Sequence, residues 1–335
     1  MPPLGNSTPG RARALTGSAL PNDLCQSPST SLSIIINSLR FGLCTAEVLR
    51  IIIQGHLSPD VIGTTTASNQ KNKMLPATSL SRTGAVPSTQ FAGFALGEEP
   101  VELVVRSLDI GESAAQRAAE CLSPGERARA DRFAFQRDRK RFVAARARLR
   151  GLLASRLGCL PEAVEIVTGI HGKPALSGRH GSDLRFNVSH CGDLAVYALA
   201  HSREVGVDVE ELREDFDGDE IATRCFTAAE YSELRALPQA MRPLGFFNGW
   251  TRKEAFVKAL ALGLDCPLTL FQVSLAPGRP AHLLQVAPAL GGADRWRLLA
   301  FEPAPGHVGA VVFESLPQDV PSFGITSRGG SRGHH

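Results

Sequence analysis

Paired cysteines are missing from this sequence. Its seven cysteines (Cys25, Cys44, Cys121, Cys159, Cys191, Cys225, Cys266) are odd in number, widely spread and never in a C-x-x-C pair. That argues against a disulfide framework or a structural zinc site and for a reducing compartment, with the cytoplasm as the default. An uncharged apolar run long enough to span a bilayer is also absent. The most apolar early stretch, SIIINSLRFGLCTAEVLRIIIQ, is interrupted by Arg40, Glu47 and Arg50, so no membrane partner is expected. Residues 1–22 lack acidic groups and carry Arg11 and Arg13, a faint transit-peptide composition. No basic start followed by a continuous apolar core is present, so no secretion signal is read. Net charge is small, 36 basic against 33 acidic residues for +3, so no global affinity for nucleic acid follows.

What is present is a soluble, globular composition, 43% hydrophobic and 21% charged, in a chain of 335 residues that can bury one large core or two ordinary ones. The charge is unevenly placed. Ten Lys or Arg against three acidic residues lie between Glu126 and Arg150, and eight acidic residues against Arg213 alone lie between Asp208 and Glu220. Such blocks suit a protein that holds a polyanion with one surface and a metal ion with another, or they are solvated faces. Residues 1–90, rich in Ser, Thr, Asn, Pro and Gly, are expected to be a poorly ordered, dispensable extension, with one amphipathic helix around 39–55. Residues 316–335 are expected to be a disordered tail.

Between these ends, strands are expected at 99–107, 163–168, 184–188, 194–200 and 205–210. One long helix is expected over 123–158, beginning at the Ser123 N-cap and Pro124 and stopping at Gly158. Helices follow at 218–224, 227–236 and 247–262, then strands at 270–276, 281–286, 295–302 and 308–314. This irregular mixture predicts an α+β or α/β fold without internal sequence repeats.

Four stretches carry chemistry. In VGVDVEEL (205–212), strand alternation puts Asp208 and Glu210 on one face and Val207 and Val209 on the other. Neighbouring carboxylates repel unless a cation lies between them, and a hard divalent ion such as magnesium is a natural occupant. An exposed strand edge entering an acidic loop is the bland alternative. In WTRKEAFVKA (250–259), Trp250, Glu254 and Lys258 share a helix face. Glu254 and Lys258 then form a surface ion pair worth about 0.2–0.5 kcal/mol. Alternatively, Glu254 completes a three-carboxylate magnesium site that Lys253 and Lys258 flank. FNVSHCGDLAVYALA (186–200) offers Asn187, Ser189 and His190. Without a G-x-S-x-G elbow, and with adjacent strand residues pointing apart, phosphate or ribose binding fits better than a hydrolase triad. HGKPAL (171–176) presents Lys173 as a point charge, and the P-loop spacing of an ordinary nucleotide triphosphatase is absent.

Together GKP (172–174), FNVSH (186–190), GVDVE (206–210) and WTRKEAFVKA (250–259), with the arginine-rich run 129–150 upstream, resemble the Sfp-type 4′-phosphopantetheinyl transferases over about residues 95–315. The resemblance implies two similar α+β halves, 91–203 and 204–315, with coenzyme A in the cleft between them. It implies magnesium on Asp208, Glu210 and Glu254, and pyrophosphate on Lys258. Coenzyme A contacts are implied for Lys173, Ser189 and His190, with His190 expected near the adenosine 3′-phosphate and Arg129 and Arg141 matching basic positions near that same end. The implied reaction moves 4′-phosphopantetheine from coenzyme A to a serine of an acyl or peptidyl carrier protein, with Glu254 the candidate base. A monomer is expected, and the carrier could serve fatty-acid, polyketide or nonribosomal-peptide synthesis. A non-catalytic coenzyme A or carrier-protein binder and a magnesium-dependent phosphodiesterase are the alternatives. Two departures stand out: Ala261 replaces a family glycine, and Glu126 occupies a family basic position.

Overall fold

The computed structural model describes residues 94–95 and 99–316, so the expectations for 1–90 and for nearly all of the tail lie outside the described residues. The elements are β1 (Phe94–Ala95), β2 (Val101–Ser107), α1 (Glu112–Glu120), α2 (Pro124–Ala130), α3 (Gln136–Leu157), β3 (Ile166–Thr168), β4 (Pro174–Leu176), β5 (Leu184–Cys191), β6 (Leu194–His201) and β7 (Val205–Glu211). They continue with α4 (Asp219–Cys225), α5 (Ala228–Ala236), α6 (Arg242–Leu260), β8 (Phe271–Val273), β9 (Leu283–Val286), β10 (Trp296–Phe301) and β11 (His307–Glu314). The fold is α+β. No described helix is long and apolar enough to cross a membrane.

Two antiparallel sheets organise it, in the orders β1-β2-β6-β5 and β10-β11-β7. Strand alternation gives each sheet two different faces. Val101, Leu103 and Val105 of β2, Val196 and Ala198 of β6, Val205, Val207 and Val209 of β7, and Val311 and Phe313 of β11 meet in one shared core. On the other face of the first sheet, α3 packs Leu149 and Leu153 against Val104 and Tyr197. On the other face of the second, α6 packs Phe256 and Ala259 against Ala310, Val312 and Leu298. Each sheet thus carries one long helix outside and gives its valine-rich side to the centre.

The helix expected over 123–158 is two helices. Ser123 and Glu126 close a reciprocal capping box at the start of α2, and the chain turns at residues 131–135 before α3. The turn has an electrostatic reason. Glu126 accepts Arg146 Nη2 and Arg150 Nε, each at 2.6 Å, while Arg150 Nη1 donates to Pro161 O and Val164 O. On one straight helix Glu126 and Arg150 would lie about 36 Å apart. The acid at the family's basic position therefore holds two arginines of the basic block inside the fold.

Against the second sheet, α6 lies on β7 at backbone contact. A Cβ on Gly206 would come 2.1 Å from Ala255 O and 2.3 Å from Ala259 N. The same helix buries an ion pair: Lys253 Nζ lies 2.9 Å from Glu230 Oε2, both side chains 0% exposed. Lys253 Nζ also donates to Leu268 O and Phe271 O. Glu230 in turn caps α5 through Thr227 N and accepts Val273 N. Helix α6 ends at Leu260, and Ala261 itself adopts the left-handed conformation, φ 55°. A side chain there is strained, which explains why a glycine is the easier residue at this corner.

Three stability changes follow. Gly206→Ala forces a backbone shift and should lower unfolding free energy by about 3 kcal/mol or more. Lys253→Met leaves Glu230 as a buried uncompensated charge and should cost about 3–5 kcal/mol. Ala261→Gly relieves the left-handed strain and should add about 1 kcal/mol. Urea unfolding of the three variants checks all of these.

Candidate active site

Because Gly206 admits α6, the polar face of β7 looks into the helix rather than into water. Asp208 and Glu210 are each 1% exposed and Glu254 is 7% exposed, so the open strand edge and the surface ion pair both give way to a buried cluster. Lys258 Nζ lies 2.5 Å from Asp208 Oδ1. The same ammonium donates to Ser189 Oγ at 3.2 Å, and Ser189 Oγ donates to Asp208 Oδ1 at 2.9 Å. Strand β5 of the first half, β7 of the second, and α6 therefore meet at one point.

The electrostatics are those of carboxylates held close together. Burial, and then the charge of Asp208, raise the Glu254 carboxyl to about 7, with Lys258 pulling the other way. Burial opposes the Lys258 charge, but Asp208 and Glu254 overcome it and hold its pKa above the usual lysine value. Asp208 Oδ2 is buried with no hydrogen-bond partner among the described residues. An orphaned carboxylate oxygen beside a second acid it destabilises is a fit for a hard cation. Among the described residues, however, no three His, Cys, Asp or Glu side chains converge into a ready ion cage. The Lys258 ammonium sits on Asp208 Oδ1, and Oδ2 is the oxygen without a partner.

His190 sits one residue along β5 from Ser189 and is half-buried. Burial, together with Lys258, Arg129 and Arg141, lowers its imidazole to about 4, so it is neutral near pH 7. Those same cations define a positive corner around it. Arg129 stacks over the Phe142 ring at 5.1 Å, and Arg141 Nε pairs with Asp193 Oδ1 at 2.7 Å.

Two lysines expected at the site are committed elsewhere. Lys253 points away from the cleft, and Glu230, Leu268 O and Phe271 O take the three donors of its ammonium. Lys173 Nζ donates to Glu204 Oε2 at 2.8 Å, Val205 O at 3.0 Å and Ala259 O at 3.3 Å. It ties the β3–β4 hairpin to the start of β7 and the end of α6 rather than standing free for a phosphate. Sequence reasoning also passed over Glu230, although T-x-x-E at 227–230 is a capping-box signature, and it gave Asn187 no role.

Two family models match this chain. One is described as the 4′-phosphopantetheinyl transferase superfamily, over residues 204–302, and the other as 4′-phosphopantetheinyl transferase, N-terminal, over residues 111–202. The chain is similar to the 4′-phosphopantetheinyl transferase HetI of a Nostoc species, 41% identical over 205 residues, 61% of this chain and 83% of the relative. It is similar to the 4′-phosphopantetheinyl transferase of Bacillus subtilis, 31% identical over 170 residues, 51% of this chain and 73% of the relative. It also resembles the L-aminoadipate-semialdehyde dehydrogenase-phosphopantetheinyl transferase of Homo sapiens, 31% identical over 171 residues, 48% of this chain and 55% of the relative. With Asp208, Lys258 and Ser189 gathered where its two matched segments meet, the chain belongs to the 4′-phosphopantetheinyl transferase superfamily.

Proposed function

We propose that this enzyme transfers 4′-phosphopantetheine from coenzyme A to a serine of an acyl or peptidyl carrier protein, releasing 3′,5′-ADP. The observation that carries the reading is Lys258 clamped between Asp208 and Ser189 beside Glu254, with one oxygen of Asp208 left unpartnered. The attacking hydroxyl belongs to the carrier, so the chain needs no nucleophile of its own. Arg129, Arg141 and neutral His190 receive the adenosine 3′-phosphate, the two arginines by charge and the imidazole by hydrogen bonding. Lys258 neutralises charge on the pyrophosphate and on the departing 3′,5′-ADP. The serine oxygen forms its bond to the β-phosphorus as the bridging P–O bond breaks, and the Glu254 carboxylate accepts the serine proton.

Asp208, Glu210 and Glu254 are the residues that would hold magnesium, which supplies charge neutralisation at pyrophosphate oxygens when bound. An acidic carrier protein would dock on the arginine-rich block or on an apolar face near it. The chemistry assumes neither a membrane nor a nucleic acid, and one copy of the chain contains every residue named.

Incubating the protein with magnesium, coenzyme A and an apo carrier protein should add about 340 Da to the carrier, read by mass spectrometry. Glu254→Gln and Asp208→Ala should each lower transfer by at least about 100-fold while the fold persists. No mass gain on any of several carriers, with coenzyme A still bound, would instead indicate a binding protein. Release of 3′,5′-ADP without a carrier would indicate a phosphodiesterase.

A further inference from the structure

The two sheets approach each other edge to edge where β5 lies beside β7. Strand β5 is hydrogen-bonded to β6 and β7 to β11, but β5 and β7 are not hydrogen-bonded neighbours. The inner edge of β7 therefore needs other partners for its backbone groups. It finds them in side chains. Val205 O accepts Lys173 Nζ at 3.0 Å, and Val207 N donates to Asn187 Oδ1 at 2.9 Å. Glu211 N donates to Cys191 Sγ at 3.3 Å.

On β5 the residues that reach across are Asn187, Ser189 and Cys191, alternate positions of one face. Ser189 reaches the Asp208 carboxylate itself, as described above. Asn187 reaches the backbone N–H of Val207, the residue immediately before Asp208. It is buried, 4% exposed, and its carbonyl oxygen accepts at 2.9 Å, the ordinary length of a backbone N–H···O bond. The side chain holds β7 at a fixed height along β5 without closing the two strands into a ladder.

We infer that Asn187 is a positioning residue for the proposed transfer: its side-chain amide replaces the backbone bond missing between β5 and β7, and so sets where Asp208 stands relative to Ser189 and Lys258. The inference rests on the transfer reading for its kinetic consequence but not for its geometry. Loss of the acceptor frees the Val207 peptide, and Asp208 moves with it. Binding of coenzyme A through Arg129, Arg141 and His190 is largely untouched, because those groups lie on β5 and on the helices of the first half. The signature is a fall in kcat with little change in KM.

The experiment compares Asn187→Leu, of similar volume and without an acceptor, with Asn187→Asp, which keeps an oxygen at the same place, under saturating magnesium. Expected for the folded leucine variant is a kcat lower by about 30-fold or more, with the coenzyme A KM within about threefold. The aspartate variant should recover to within about fivefold of the unaltered enzyme. A folded leucine variant with unaltered kcat, or an aspartate variant as slow as the leucine one, overturns the proposal. If the leucine variant does not fold, Asn187→Ser, whose hydroxyl is too short to span the gap, takes its place with the same expected split. Hydrogen exchange of the unaltered protein gives a readout independent of activity. The Val207 amide should be strongly protected, and exchange at the rate of an open amide overturns the proposal. If the unaltered protein transfers nothing, the functional reading fails while the exchange result still judges the bond.

Discussion

Everything at the site depends on a single close approach, that of α6 to β7 at Gly206. No side chain other than hydrogen leaves room there, because Ala255 O and Ala259 N already occupy the space a Cβ would need. Two of the residues whose backbone meets the glycine, Ala255 and Ala259, are small and lie one helical turn apart. Glu254 and Lys258 immediately precede them, so the same contact brings both charged side chains over the face of β7 that carries Asp208 and Glu210. Lys173 secures the point from the other half, gripping Val205 O just before Gly206 and Ala259 O on the helix. Packing of backbone on backbone thus comes first, and the charge cluster is a consequence of it.

That cluster would be unfavourable if it were only three acids buried together. Lys258 offsets part of the repulsion through a charge-assisted hydrogen bond to Asp208. The remaining imbalance appears on Glu254, whose affinity for a proton rises. The cationic corner around His190, to which Lys258 itself contributes, adjoins the acidic face of β7, so charge changes sign within the site. The joint between the halves follows the same economy of backbone. A continuous ladder between β5 and β7 would merge the sheets, whereas side-chain bridges satisfy the β7 edge and leave its polar face to meet α6.

The element types were largely legible in the sequence because most strands and helices obey simple periodicity. Strand β7 is the clearest case, with Val205, Val207 and Val209 inside and the carboxylates on the other face. Two failures had physical causes that no local pattern reveals. The break between α2 and α3 is enforced by Glu126 bonding Arg146 and Arg150, a contact between residues at least twenty apart in the chain. The commitments of Lys173 and Lys253 depend on backbone carbonyls, which present the same atoms whatever residue carries them. A sequence marks the lysine but not the oxygens that will surround it. Ser189 meeting Asp208 was likewise beyond local reading, since it needs the two halves brought together.

The two lysines of KEAFVK show how much a helix can separate residues that look equivalent in print. Five residues on an α-helix correspond to a rotation of about 140°, so Lys253 and Lys258 cannot serve the same face. Four residues correspond to about 40°, so Glu254 and Lys258 must. Once Gly206 fixes which side of α6 meets β7, Lys258 is obliged to enter the cleft and Lys253 is obliged to face the opposite packing. There its charge survives because α5 supplies Glu230, the turn before β8 supplies Leu268 O and the first residue of β8 supplies Phe271 O. A buried ammonium on one flank therefore anchors the helix, and that anchorage keeps the second ammonium at hydrogen-bonding distance from Asp208. One lysine holds α6 so that the other can act.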